Sequence, residues 1–271
     1  MNTIKMLFAF AFANVSELYE NDPELKRDDV KIIQENIYKQ PHLPPITELQ
    51  VILFLQSCYY RIEETKTTID HYFSIKHIFP EIFKNRDPQN SDIQSTLKCV
   101  NILNLKKLTP EGYTALLLSL ENYNPENFNF QVVIRILDML ETQRLHQHGP
   151  QEGLIWIIDM KGSVFGHVVK ASNIAFLRKF FYYLQEIMPI RLKSIHWINS
   201  KPFLETFLTL IKPFVKKDLW NKIYVHSTKS AETLYEYVPL ECLPSDYGGQ
   251  DDSVAVLRGI EPSYKISIYL Y

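Results

Sequence analysis

Apolar positions recur at helical spacing in the first part of the chain and change their pattern near residue 113. Ile62, Ile69, Tyr72 and Phe73 fall on one helical face in a segment that ends near Pro80. Thr47-x-x-Gln50 forms a capping-box pattern ahead of the apolar run Val51–Leu55. Asp22-Pro23-Glu24 predicts a helix start, because Asp caps and Pro is tolerated in a first turn; Pro41, Pro44 and Pro45 then interrupt the chain. These signals predict an all-helical unit over residues 1–88, closing at the polar stretch Asn85–Asp92.

Beyond residue 113, short apolar runs alternate with longer amphipathic ones, the signature of βαβ units. Strands are predicted at Thr114–Leu120, Leu154–Ile158, Ser194–Ile198 and Ile223–Val225. Helices are predicted at Phe128–His146, Ala171–Met188, Phe203–Lys212 and near Ala231–Tyr235. Parallel strands need crossovers, so the expected class is α/β, with a mostly parallel sheet and helices packed on it over residues 89–250. The tail, 251–271, carries no clear pattern.

Two helices carry more apolar surface than a sheet requires. In Ala171–Met188, Ile174, Leu177, Phe180, Phe181, Leu184 and Ile187 form a stripe that Phe176, Tyr182 and Tyr183 widen, so a second surface is served. Phe203, Leu204, Phe207, Leu208 and Ile211 make one greasy face opposite Glu205, Thr206 and Thr209, bracketed by Pro202 and Pro213. Such a segment either seals a core or swings as a rigid unit.

Charge and composition narrow the function. Among 271 residues, 29 Lys and Arg against 31 Asp and Glu leave a net charge of −2, which removes the cationic excess a nucleic-acid binder needs. Met6–Ala13 is the longest clean apolar run, too short to span a bilayer; with Lys5 before it and Ala11-Phe12-Ala13 at its end it resembles a weak secretory signal. Cys58, Cys99 and Cys242, odd in number and without C-x-x-C spacing, fit reduced thiols, and the chain is read as cytoplasmic.

Signatures of phosphate cradles, nucleophile elbows and zinc helices are missing, and Gly162-x-x-x-Gly166 is too sparse to count. His146 and His148 fall on different sides of a helix, so no metal site is expected. Asp159 follows a strand where α/β enzymes place carboxylates, or simply turns the chain; His196 is a base or a satisfied core histidine. Arg191 and Lys193 share a strand face, with Lys212, Lys216, Lys217 and Lys222 nearby: a solvated edge, or a patch for an anionic lipid headgroup.

The segment Met188-Pro-Ile-Arg-Leu-Lys-Ser-Ile-His-Trp-Ile-Asn199, then Pro202-Phe203, Ile211-Lys-Pro-Phe214 and Leu243-Pro-x-x-Tyr247-Gly-Gly249, resembles the CRAL-TRIO (Sec14-like) lipid-binding domain. Val51–Leu55 and Pro80-Glu-Ile-Phe83 resemble that family's N-terminal three-helix domain, so the likeness covers roughly residues 14–250, nearest to the tocopherol-transfer and retinaldehyde-binding branch. The resemblance implies a non-enzymatic carrier without cofactor. A sheet floors an apolar cavity, and a mobile helical gate at Phe203–Lys212 opens at a membrane. By position it implies a cavity lined by Ile155, Ile157, Phe165, Phe180, Leu184, Ile187, Leu192, Ile195, Phe203, Phe207, Leu208 and Ile211. Arg191, Lys193 and Lys222 match the headgroup cleft of the phosphoinositide-responsive members. Implied partners are a small hydrophobic ligand and, transiently, an anionic or phosphoinositide-bearing membrane, with the protein monomeric and peripheral to it. The family's Phe-Leu-Arg-x-Arg or Phe-Leu-Arg-x-Cys pattern reads Phe54-Leu-Gln-Ser-Cys58 here, and Asp218 replaces another cleft cation, so the headgroup site is weakened. An α/β enzyme using Asp159 or His196 on a hydrophobic substrate, and a degenerate fold serving as an interaction module, are the competing classes.

Overall fold

The computed structural model describes residues 11–227 and 231–260; Met6–Phe10 of the N-terminal apolar run and residues 261–271 lie outside them. The chain opens with α1 (Val15–Asn21), α2 (Arg27–Tyr38), α3 (Glu48–Ser57), α4 (Ile62–Ile78) and the single turn α5 (Pro80–Phe83). The capping box of α3 forms as the spacing predicts: Gln50 N–H donates to Thr47 Oγ1 at 3.2 Å and Thr47 N–H donates to Gln50 Oε1 at 3.0 Å. Helix α3 is apolar on all sides because it is buried on all sides. Val51, Ile52, Phe54 and Leu55 pack with Val30, Ile33, Ile37 and Ile69, whereas Leu49 and Leu53 meet Leu145 of a later helix. The expected helix start at Asp22 is corrected. Its N–H donates to Leu18 O and so closes α1, and its Oδ1 accepts from Glu24 N–H at 3.0 Å in a turn, so α2 begins only at Arg27.

The sheet follows: α6 (Ser91–Leu97), β1 (Val100–Asn104), β2 (Tyr113–Leu120), α7 (Phe130–His148), β3 (Gly153–Asp159), α8 (Phe165–Ala171), α9 (Ile174–Glu186), β4 (Leu192–Ile198), α10 (Leu204–Ile211), α11 (Lys217–Trp220) and β5 (Ile223–Val225). The spatial order is β1-β2-β3-β4-β5, antiparallel between β1 and β2 and parallel thereafter. Strand β1 has no counterpart in the sequence reading. Crossovers that always step to the next strand with one handedness fall on one face, and α7, α8, α9 and α10 do pack against the same face. The opposite face is covered by 3₁₀ turns at Ala231–Leu234, Leu240–Cys242 and Ser245–Tyr247, followed by α12 (Val254–Ile260). The helix expected near Ala231–Tyr235 is therefore a 3₁₀ turn, and the tail has an ordered start.

The helix expected over Ala171–Met188 is α9, which starts at Ile174, and α8 before it has no counterpart in the sequence reading. The Asn173 side chain accepts from Phe176 N–H at 3.1 Å and caps α9. The second surface this helix serves is the N-terminal unit: the Phe79 and Phe176 rings lie 5.4 Å apart, as do those of Phe83 and Tyr183.

Candidate functional site

A cavity of about 180 Å³ lies between the helix-bearing face of the sheet and α7–α10, smaller than the ~300–1,000 Å³ of most small-molecule sites. Leu118, Trp156, Ile158, Ile195 and Trp197 form its floor. Val133, Ile134 and Leu137 of α7 and Phe180, Phe181 and Leu184 of α9 form its walls, and Phe203, Leu204, Phe207 and Ile211 close it.

Two ring-bearing residues of this lining carry a buried polar atom that no other described group pairs. Trp156, 4% exposed, and His167, 6% exposed, line the cavity, and Trp156 Nε1 and His167 Nε2 are buried with no hydrogen-bond partner among the described residues. His167 Nδ1 lies 3.1 Å from Val164 N and 3.3 Å from Val164 O; the backbone N–H can only donate and makes the shorter contact, so Nδ1 is assigned as acceptor and the ring proton to Nε2. Burial pushes the imidazole pKa down, so the ring is neutral. Both atoms are donors, and a buried donor left unsatisfied costs about 1–3 kcal/mol. The sequence reading missed both residues.

Of the twelve lining positions the resemblance implies, Phe180, Leu184, Ile195, Phe203, Phe207 and Ile211 lie in the cavity wall. Ile187 is in the adjoining core, and Leu192 and Leu208 pack partly buried against it. Phe165 is 54% exposed on α8, its ring edge-on to Phe203 at 6.4 Å. Ile155 and Ile157 are a correction: they belong to the core on the opposite face, with Ala115, Leu117, Leu234 and Val238. Side chains alternate along a strand and laterally paired residues share a face. Trp156 pairs with Ile195, so Trp156 faces the cavity and its two neighbours face away.

Helix α10 is held by apolar contacts. Leu204, Phe207 and Ile211 are buried, and the Phe207 ring meets Trp197 edge-on at 5.9 Å. Glu205, Thr206 and Thr209 are exposed, and no side chain of α10 makes a hydrogen bond or ion pair among the described residues. Val164, Phe165 and Val169 stand exposed on α8.

The basic residues divide. Arg191 is buried, and as a headgroup cation it is corrected: Nε donates to Gln56 O at 2.8 Å, Nη1 meets Glu152 at 3.3 Å, and the guanidinium stacks 4.2 Å from the centre of the Tyr59 ring. It braces the helical unit against the sheet. Gln56, standing at the family's arginine position, donates to Gln151 O at 2.9 Å in the same joint. Lys193 lies beside it, 5.0 Å from the Tyr113 ring, with its pKa lowered by burial and by Arg191. Lys222 is exposed one strand away, at the start of β5.

The two catalytic candidates are occupied on the opposite face. The Asp159 carboxylate accepts from Lys161 N–H, Asn199 Nδ2 and Tyr247 OH, tying the covering segment to the sheet. His196, fully buried, joins a chain of short contacts from Ser194 Oγ at 2.7 Å to His226 at 2.9 Å and on to Thr233 at 2.6 Å. Burial, and then His226, push its pKa down to about 3. Among the described residues no cluster of three or more His, Cys, Asp or Glu side chains is placed to hold a metal ion. No helix among them is long and apolar enough to cross a membrane.

The class of protein is a five-stranded α/β sheet with its crossovers on one face and an apolar cavity beneath them. A family model described as CRAL/TRIO domain matches residues 101–249, and the chain belongs to that family. A second model, described as Pinta-like, UBA domain, matches residues 22–93. The human protein named alpha-tocopherol transfer protein-like is 24% identical over 238 residues, covering 86% of this chain and 68% of that one. Clavesin-1 of Xenopus laevis is 26% identical over 236 residues, covering 86% and 70%. Among solved structures, one titled "Crystal structure of Sfh5" aligns with a TM-score of 0.49 at 14% identity, over 86% of this chain and 92% of that one.

Proposed function

We propose that this protein is a non-enzymatic carrier that encloses a small hydrophobic lipid under α10 and passes it between membranes. The observation that carries this reading is the apolar cavity closed by a helix that only apolar side chains hold down. The relatives named as tocopherol-transfer-like indicate the kind of molecule: long, apolar, with little polar surface. A ligand burying on the order of 400 Å² at ~25 cal/mol per Å² gains about 10 kcal/mol gross, of which association consumes several. Such a ligand exceeds the present volume, so α10, with Pro202 and Pro213 beyond its two ends, swings outward to admit it.

Membrane contact falls on the side where the cavity opens. Val164, Phe165 and Val169 supply an apolar ridge on α8, and exposed Lys212, Lys217 and Lys222 supply cations between α10 and β5, each worth roughly 1 kcal/mol near an anionic surface. The headgroup role passes from Arg191 to these outer lysines, and the protein works as a cytoplasmic, peripheral monomer. Transfer of a fluorescent tocopherol analogue from donor to acceptor vesicles tests the reading. Wild-type protein accelerates transfer without converting the lipid, and Phe207→Asp, with a charge on the closing face, releases ligand at least tenfold faster. A converted product, or an unchanged release rate, overturns it.

A further inference from the structure

The cavity is lined like a hydrocarbon site, but two of its lining residues carry donors without a partner among the described residues. Trp156 reaches it from the middle of β3, and its indole nitrogen can only donate. His167 reaches it from α8, with Nδ1 held by Val164 N–H and Nε2–H left over. Of the other polar residues around the cavity, Asn101 also keeps an unpartnered atom, the acceptor Oδ1, and the rest are engaged. The Asp159 carboxylate is taken up by three donors, and the Ser163 hydroxyl is donated to Met160 O at 2.6 Å. Asn101 and Ser119 alternate with Val100, Ile102, Leu118 and Leu120, which face the helices, and Asn101 Nδ2 donates to Ser119 Oγ on the far side of the sheet. Among the described residues no Lys or Arg lines the space.

We infer that Trp156 and His167 form a two-donor anchor that selects lipids bearing a carbonyl-type acceptor oxygen, such as an aldehyde, ketone, quinone or ester. The inference rests on the carrier reading and specifies its ligand. Three consequences of chemistry follow. A pure hydrocarbon leaves both donors unsatisfied. An alcohol oxygen can accept from both but brings a hydroxyl proton of its own that these two donors cannot take up. A carboxylate would be buried with no cation to meet it.

The test uses the full chain and diphenylhexatriene, a fluorescent hydrocarbon, as reporter. Its displacement is measured with a straight-chain ketone, the alcohol and the alkane of one length. The ketone is expected to compete about tenfold better than the alkane, with the alcohol between them. Trp156→Phe keeps an aromatic ring and removes the donor, so the ratio of ketone to alkane competition, measured on the variant itself, should fall to near one. His167→Gln, which retains a donor, should keep part of it. Because a variant can misfold, the wild-type protein is also labelled with nitrogen-15: the indole N–H resonance of Trp156 should move downfield with the ketone and stay in place with the alkane. Failure of the reporter to bind would overturn the carrier reading and the anchor with it. Reporter binding with equal competition by all three compounds, or an unmoved indole resonance, would overturn the anchor alone.

Discussion

The two faces of the sheet are built from the same strands and end in opposite states. On one, Trp156 and Ile195 look into a void bounded by regular helices, and two donors are left over. On the other, Ile155, Ile157 and Ile198 are packed under an irregular segment whose Tyr247 and Thr233 side chains bond Asp159 and His226, and His226 in turn bonds His196. A helix is a cylinder that touches a sheet along a line, and large side chains must fill the angle on either side. A chain of 3₁₀ turns can follow the sheet closely. That closeness is visible at Gly249, where a Cβ would stand 1.9 Å from Leu243 O, and at Gly248, whose φ of +75° suits glycine. The contrast teaches that the hollow face is hollow because of what covers it: the strands send polar side chains, Asp159, Ser194 and His196 among them, to the solid face, and the large apolar ones of the other face still leave a void.

Paired truncations break or sharpen this contrast. Ile157→Ala, on the solid face, should cost about 4 kcal/mol in urea unfolding, near the top of the range for buried Ile→Ala changes, and Ile195→Ala, beside an existing void, about 2 kcal/mol. Equal costs would mean that the two faces are packed alike. Gly249→Ala comes next, at about 1–3 kcal/mol, because backbone must move to admit the methyl group. The loss should appear as faster hydrogen exchange in 231–247 while α7–α10 stay protected.

The smallest effect expected is the pH dependence of the solid face. The folded-state pKa of His196, about 3, is below the ordinary value of 6.5, so the unfolded chain binds the extra proton between those values. Stability contributed there is fully present above pH 6.5 and is lost as pH falls toward 3, by about 1 kcal/mol at pH 5.5. Thermal unfolding of His196→Asn should show a shallower decline over that interval than wild type. A parallel decline would assign the dependence to other groups.

Much of this was legible in the chain. The capping box at Thr47, the amphipathic helix between Pro202 and Pro213 and the four parallel strands are local signals, fixed by spacing of 3.6 or 2 and by turn chemistry. β1 was hidden because Asn101 and Asn104 interrupt its apolar run, and its pairing with β2 supplies what its own pattern does not. Helix α8 went unread because it is short, and the true start of α9 had a signal in its capping residue Asn173. Arg191 looked like a surface cation because alternation places it on a face without saying what covers that face.

Sequence alone determined the α/β class, the family and the closing helix, because each depends on residues close together along the chain. Tertiary structure decided which half of β3 meets the cavity. A strand buried on both sides is apolar in both phases, Leu154-Ile155-Trp156-Ile157-Ile158, so periodicity carries no information about direction. Only the register Trp156 to Ile195 settles it, and with it the two donors that the apolar pattern concealed.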